Sequence, residues 1–386
     1  MNPEYISHNK ALDDCIEFLS QEKAFAIDLE FDKNRYRYGF NLCLVQLYAN
    51  ERCFIVDPLS KDLDIKRLFP ILENPAIEKI VYSFGEDLRL LHSLGCLPKC
   101  IFDIAIAMRL LDYPPTSLAN ALYTLLEIEI SKSAQKSNWF LRPLSDKQID
   151  YAAKDVLYLE EMKALLVEEA QSKEILPWID EENAVFDTVY YGDVDNNNFL
   201  KEKDKNGLSE HAFHIFKRLL EFREEMAKEC NRPSYQIMDK EYLKELSERP
   251  KQIYRFEKIK GIYKTLKNDA FKNKLAAKRQ EFETEANNLG LSRTEKALKR
   301  LSQEEYQLRR KQRDVREEAK KKYFKPIQAL IAADYGENVV TFIMGNRLMD
   351  ELAVGNLQNL RAYKRHLIEG YAKDLDLDIS TYLNKA

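Results

Sequence analysis

Asp28 and Glu30 stand two residues apart in the apolar run FAIDLEF at 25–31. In a strand, side chains at i and i+2 share a face, so both carboxylates can point from one strand end to the same place. Asp87 opens a helical stretch behind a later apolar run, and Asp155 follows Tyr151 by four residues in LSDKQIDYAAKDVLYLEEM, which puts phenol and carboxylate on one helical face. Carboxylates that converge repel one another and lose hydration unless a cation sits among them. Two divalent ions about 4 Å apart remove that cost, activate a water and stabilise charge on phosphorus and on a leaving oxygen, which is the chemistry of phosphodiester hydrolysis. Neither histidine nor cysteine accompanies the acids, so hard Mg²⁺ or Mn²⁺ suits them better than zinc. The chain has 64 acids, and spacing alone does not single out this group.

Elements able to position these residues can be read from periodicity. Helical spacing runs over 10–20, and strands are expected at 24–30, 41–48 and 52–57, the last two joined by a hairpin through Ala49, Asn50 and Glu51. A helix at 62–73, a strand at 77–82, a helix at 86–95 closed by Gly95 and a short strand ending near Phe102 come next, ahead of helices at about 103–112, 117–126 and 146–169. Strands before helices, with a hairpin near the start, predict an α/β domain on a mixed sheet. The polar stretch DTVYYGDVDNNNFLKEKDKNG at 187–207 reads as a linker, and everything beyond it is helical in pattern, divided at NNLGLSR. The expected plan is an α/β domain at 1–186, a linker at 187–208, helical-bundle modules at 209–288 and 294–370, and a tail at 371–386.

Composition narrows the class. With 386 residues, 45% apolar, 19 Phe and 21 Tyr, the chain can bury more than one core, and a disordered chain or a disulfide-built miniprotein is excluded. The net charge of −4 hides a split: residues 1–200 carry 20 Lys+Arg against 34 Asp+Glu (−14), and residues 201–386 carry 40 against 30 (+10). Such a division fits carboxylates that hold metal in one half and a basic half that attracts a polyanion. The run RRKQRDVREEAKKKYFK at 309–325 reads as a long exposed helix. Only Cys96 and Cys100 lie close among six cysteines, there is no run of 18 apolar residues, and the N-terminal stretch lacks the pattern of a signal peptide; a reduced, cytoplasmic setting without membrane contact is expected.

FAIDLEF, LCLVQLY at 42–48, YSFGEDLRLLHSLG at 82–95 and SKSAQKSNWFLRPLSDKQIDYAAKDVLYL at 131–159 together resemble the ribonuclease D group of DEDD exonucleases, over about residues 20–170. The resemblance implies an RNase-H-like fold with the first motif on the first strand. It implies metal-binding acids at Asp28, Glu30, Asp87 and Asp155, and at Tyr151 a tyrosine-subclass residue that orients a metal-activated water. Phe31 is then expected to stack on a base, Arg142 to meet a phosphate or a motif acid, and Gln46 to be a structural hydrogen-bonding residue; Trp139 either lines the groove or anchors the loop before the last helix. Tyr82 stands where the family often has histidine. Residues 209–286 resemble an HRDC domain, in which Lys258 and Lys260 are among the basic positions able to track phosphates, and 294–370 resembles a second such module more weakly. The implied activity is metal-dependent 3′→5′ exoribonuclease, with two Mg²⁺ or Mn²⁺ ions and no nucleotide cofactor. Its implied substrate is RNA with a free 3′ end, tRNA precursors included, and its product nucleoside 5′-monophosphates. A 3′→5′ DNA exonuclease is the alternative enzyme, and a non-catalytic nucleic-acid-binding scaffold the alternative of another class; the intact acidic set speaks against the scaffold.

Overall fold

The computed structural model describes residues 2–131, 134–192, 199–298, 302–356 and 360–383. Residues 193–198 of the expected linker, 132–133 of the third motif, 299–301 and 357–359 of the last helical module and 384–386 of the tail lie outside the described residues. Contacts divide the chain into two units, one made of 1–30, 42–193 and 303–386, the other of 31–41 and 194–302.

In the first unit β1 (Glu4–Ile6), β2 (Ala24–Lys33), β3 (Phe40–Ala49), β4 (Arg52–Val56), β5 (Glu78–Val81) and β6 (Ile101–Asp103) form one sheet in the order β1-β4-β3-β2-β5-β6. The β3–β4 pair is antiparallel, whereas β1 with β4, β2 with β5 and β5 with β6 run parallel, so the sheet is mixed as the sequence pattern predicts. The β3–β4 turn closes through Asn50 (φ 44°) and Glu51 (φ 61°), both left-handed, which matches the right-handed strand twist. The edge strand β1 is too short for a periodic signal and was not expected.

Register shows which face carries the acids. Ala26 pairs with Ile80 and Ile80 with Phe102, and with a period of two Asp28 and Glu30 share their face. Ala26, Ile80 and Phe102 belong to a core that also takes Ala152 and Val156 from helix Asp146–Leu157 and Leu159, Met162 and Leu166 from helix Leu159–Ser172. The expected helix over 146–169 thus breaks at Tyr158 into two, and the first of them lies over the acidic end of the face. On the opposite face helix Asn9–Leu19 sets Phe18 against Phe54, with ring centres 5.7 Å apart.

The helices from Lys320 to Leu383 add Phe324, Ile327, Ile331, Val339 and Ile343 to this same core. Trp178 stacks on Tyr363 (5.2 Å, 16°) and meets Tyr335 edge-on, while the buried Glu182 accepts a hydrogen bond from the Tyr363 hydroxyl (2.7 Å) and pairs with Lys364 (2.8 Å). Asp112 caps helix Glu337–Ile343 by accepting from the Asn338 amide (2.8 Å). In the second unit, helices Glu210–Cys230, Lys240–Glu248 and Asp269–Asn288 bury Phe216, Leu219, Leu243, Leu246, Phe256 and Leu275 in a separate core. Segment 31–41 belongs to that unit: Asn231 accepts from the Tyr38 amide, and Tyr38 packs on the core.

Gly336 has φ +107°, and a Cβ there would lie 2.0 Å from the Asp112 carboxylate that caps the helix. Gly336→Ala should lower stability by roughly 1–3 kcal/mol through backbone strain and loss of the cap, whereas Gly39→Ala, also at positive φ but with open space around it, should cost less. Thermal melts of the two variants test the difference.

Candidate metal centre

Ser145 fixes the start of the covering helix with a capping box: its hydroxyl accepts from the Gln148 amide, and the Gln148 side chain accepts from the Ser145 amide at 3.1 Å. From that start Tyr151 and Asp155 fall one turn apart, with Asp155 flanked by the core residues Ala152 and Val156. One carboxylate oxygen each of Asp28, Glu30 and Asp155 lie within 4.8 Å of one another. Asp28 is half-buried and Asp155 only 4% exposed. Asp87, in the first turn of helix Gly85–Ser93, is also buried; it stands outside this threesome but close enough that its charge and those of Asp28 and Glu30 act on one another.

Burial, and after it the neighbouring acids, push the carboxyls of Asp28, Glu30 and Asp87 well above the usual carboxylate range. Burial takes Asp155 to about 7 against the opposing hydrogen bond from Tyr151. The Tyr151 phenol is raised too, by burial first and then by Asp155, Glu30 and Asp28, so it stays protonated and donates to Asp155. Three converging oxygen donors whose carboxyls are pushed up chiefly by burial fit a hard divalent cation, which would lower each of them again. Nitrogen and sulfur ligands are absent from the group, which argues against zinc.

The other expected site residues are placed differently. Arg142 was expected at a phosphate or a motif acid; instead all its donors are used inside the protein. Its Nε and Nη2 donate to Asp57 (2.7 Å each), Nη1 to the carbonyls of Trp139 and Leu141, and Nη2 also to that of Cys43. Although burial works against it, Asp57 is held below the usual carboxylate range by Arg142 and by the Tyr5 hydroxyl, which donates at 2.6 Å. Trp139 is buried, 6.1 Å from the Tyr151 ring, and its Nε1 has no hydrogen-bond partner among the described residues, so it packs against Tyr151 as an anchor. Gln46, expected to be a structural hydrogen-bonding residue, is fully buried, and neither of its side-chain polar atoms has a partner among the described residues. Phe31 is half-buried and meets Phe40 edge-on (5.1 Å, 77°) in the second unit, where Lys258 and Lys260 are exposed. Sequence reasoning passed over Asp57, which no local pattern ties to Arg142, and Arg109, whose signal was a single charge in the apolar run IAIAMRLL.

The raised carboxyls carry a linkage of definite sign. Asp155 in the folded protein titrates above its unfolded value, so its ionised form opposes folding above about pH 7, and the opposition is relieved as the pH falls toward the unfolded value near 4. In EDTA, Asp155→Asn should therefore be more stable than wild type at pH 8, by about 1–3 kcal/mol, and the gain should vanish near pH 4. Saturating Mg²⁺ at pH 8 should reverse the order. Denaturant titrations of both proteins under these conditions provide the check.

Comparisons with known proteins agree with this centre. Residues 3–171 match the family model described as a 3′-5′ exonuclease, and residues 212–269 match the HRDC domain. Ribonuclease D of Gluconacetobacter diazotrophicus is 27% identical over 68% of this chain and 67% of its own length, and that of Bartonella henselae 26% over 67% and 64%. Ribonuclease D of Desulfotalea psychrophila is 30% identical over 58% of this chain and 61% of its own, so the match spans about two thirds of these relatives' length. Among solved structures, Escherichia coli RNase D, an exoribonuclease involved in structured RNA processing, aligns over 97% of this chain and 99% of its own with a TM-score of 0.64 at 21% identity. A protein from Bifidobacterium adolescentis aligns over 97% of both chains with a TM-score of 0.71 at 19% identity; these two likenesses speak to the fold. With the acids of all three motifs in place on that fold, and an HRDC match behind them, the chain is similar to the ribonucleases D and carries a match to a 3′-5′ exonuclease model.

Proposed function

We propose that this protein is a metal-dependent 3′→5′ exoribonuclease that releases nucleoside 5′-monophosphates from RNA 3′ ends, tRNA precursors among them, in the cytoplasm. The observation that carries the reading is the convergence of Asp28, Glu30 and Asp155 within 4.8 Å, with Tyr151 bonded to Asp155. In this reading Asp28, Glu30, Asp87 and Asp155 would hold two divalent ions, Mg²⁺ or Mn²⁺. When bound, the ions supply a nucleophilic water and stabilise the charge that develops on the phosphodiester. Tyr151 remains protonated and orients that water through its hydroxyl, while Trp139 holds the Tyr151 ring in place. Phe31 offers an aromatic face to the terminal base, and Lys258 and Lys260 add to the phosphate grip of the HRDC module at 209–288. Residues 294–370 are taken as a second helical module.

Asp28→Asn and Asp155→Asn should fold and yet lose turnover of a 5′-labelled RNA by roughly 100-fold or more in Mg²⁺, since each removes a charged metal ligand. Wild-type rates in either variant would remove the basis of the proposal. Tyr151→Phe keeps the ring packed on Trp139 and removes only the hydroxyl, so single-turnover cleavage at saturating metal should slow roughly 10- to 100-fold with metal affinity retained. An unchanged single-turnover rate would show that the hydroxyl does not orient the water.

A further inference from the structure

Next to the second motif the first unit has a half-open cavity of about 330 Å³, within the range that small ligands occupy, and Asp28, Glu30 and Asp155 are not among its lining residues. Its walls include Tyr82, Ser83, Arg109, Pro115, Phe186 and Phe342. Arg109 is half-buried, its Nε is buried without a hydrogen-bond partner, and among the described residues it forms no ion pair. Its guanidinium carbon lies 4.5 Å from the Phe342 ring centre. The acid in the wall, Asp103, forms no ion pair with it among the described residues, and its carboxylate accepts from the amides of Ser83 (2.8 Å), Phe84 (3.0 Å) and Ala105 (2.9 Å). The Tyr82 hydroxyl is likewise engaged, donating to the Thr116 carbonyl at 2.9 Å. A buried guanidinium nitrogen left without an acceptor is costly, and a cavity that joins a half-buried guanidinium to flat apolar walls suits an anion with a planar body. Gly85 also lines the cavity, and a Cβ there would meet nothing within 4 Å, so the space extends to the helix start that presents Asp87.

We propose that this cavity is a nucleotide-binding site separate from the metal centre, with Arg109 on the phosphate and the base against the aromatic and proline walls. The choice of a nucleotide over another planar anion rests on the exonuclease reading; the existence of the site does not. The nucleotide is either a free nucleoside monophosphate or one unit of an RNA strand, which share the recognised chemistry.

The test uses the full chain in EDTA, where the unbalanced acids at the metal centre repel a phosphate. Equilibrium dialysis with labelled AMP and, separately, with a hexaribonucleotide compares wild type, Arg109→Gln and Asp28→Asn. AMP binding weakened at least tenfold by Arg109→Gln and untouched by Asp28→Asn supports the site with a free nucleotide as ligand. The same pattern for the hexanucleotide alone assigns it to the RNA strand. Equal binding of both ligands to wild type and Arg109→Gln, or none at millimolar concentration, overturns the proposal. Should Arg109→Gln fail to fold, photo-crosslinking of 8-azido-AMP to wild type decides: adducts on residues 82–85, 103–116 or 342 support the site, and adducts confined elsewhere refute it. RNA cleavage in Mg²⁺, assayed separately, shows whether the exonuclease reading stands or falls on its own.

Discussion

Burying several carboxylates at one point is the constraint on which the first unit depends. Asp28 and Glu30 are forced together by the pleat of β2, and helix Asp146–Leu157 closes Asp155 down on them while it seals the hydrophobic face beneath with Ala152 and Val156. The same packing that stabilises the sheet therefore excludes water from the acids and raises their pKa values. A cation is the inexpensive way to balance that arrangement, and the affinity for it is built from the cost of its absence. Hydrogen bonds tie the cover down. Arg142 links the loop before the helix to Asp57 at the end of β4, and the Ser145–Gln148 box sets the helical phase that brings Asp155 and Tyr151 round to the acids.

The last helices extend this reasoning. Their apolar faces are buried in the core that supports the metal centre, through Phe324, Ile327 and Ile331 and through the stacking of Tyr363 on Trp178. A fragment ending near residue 184 would strip this cover from the α/β core, so the contribution of the basic half to RNA affinity is better measured with surface substitutions in the whole chain. Of the exposed helix expected at 309–325, the part up to Glu318 is nearly all open to solvent within helix Gln303–Ala319, whereas Lys320 and Phe324 are buried.

Much of this was legible in the sequence because it is local. Alternation and apolar runs locate five of the six strands, the i and i+2 spacing aligns Asp28 with Glu30, and the i and i+4 spacing aligns Tyr151 with Asp155. What was not legible depends on partners distant in the chain. Nothing near Arg142 announces that its fork will be saturated by Asp57, 85 residues away, and three carbonyls. Helical periodicity beyond residue 303 shows that a face is buried without showing that it is buried on the α/β core. Nor does any pattern foretell that β2 runs on past Glu30 into a segment, 31–41, whose contacts lie with the HRDC-bearing unit.

The central claim is that the converging acids are a metal site, and a direct measurement is the anomalous difference density of crystals of the whole chain soaked in Mn²⁺. The account predicts a strong peak within bonding distance of Asp28, Glu30 and Asp155, abolished in Asp155→Asn crystals. Manganese peaks found only elsewhere on the molecule, or a peak at the acids undiminished by Asp155→Asn, would contradict it.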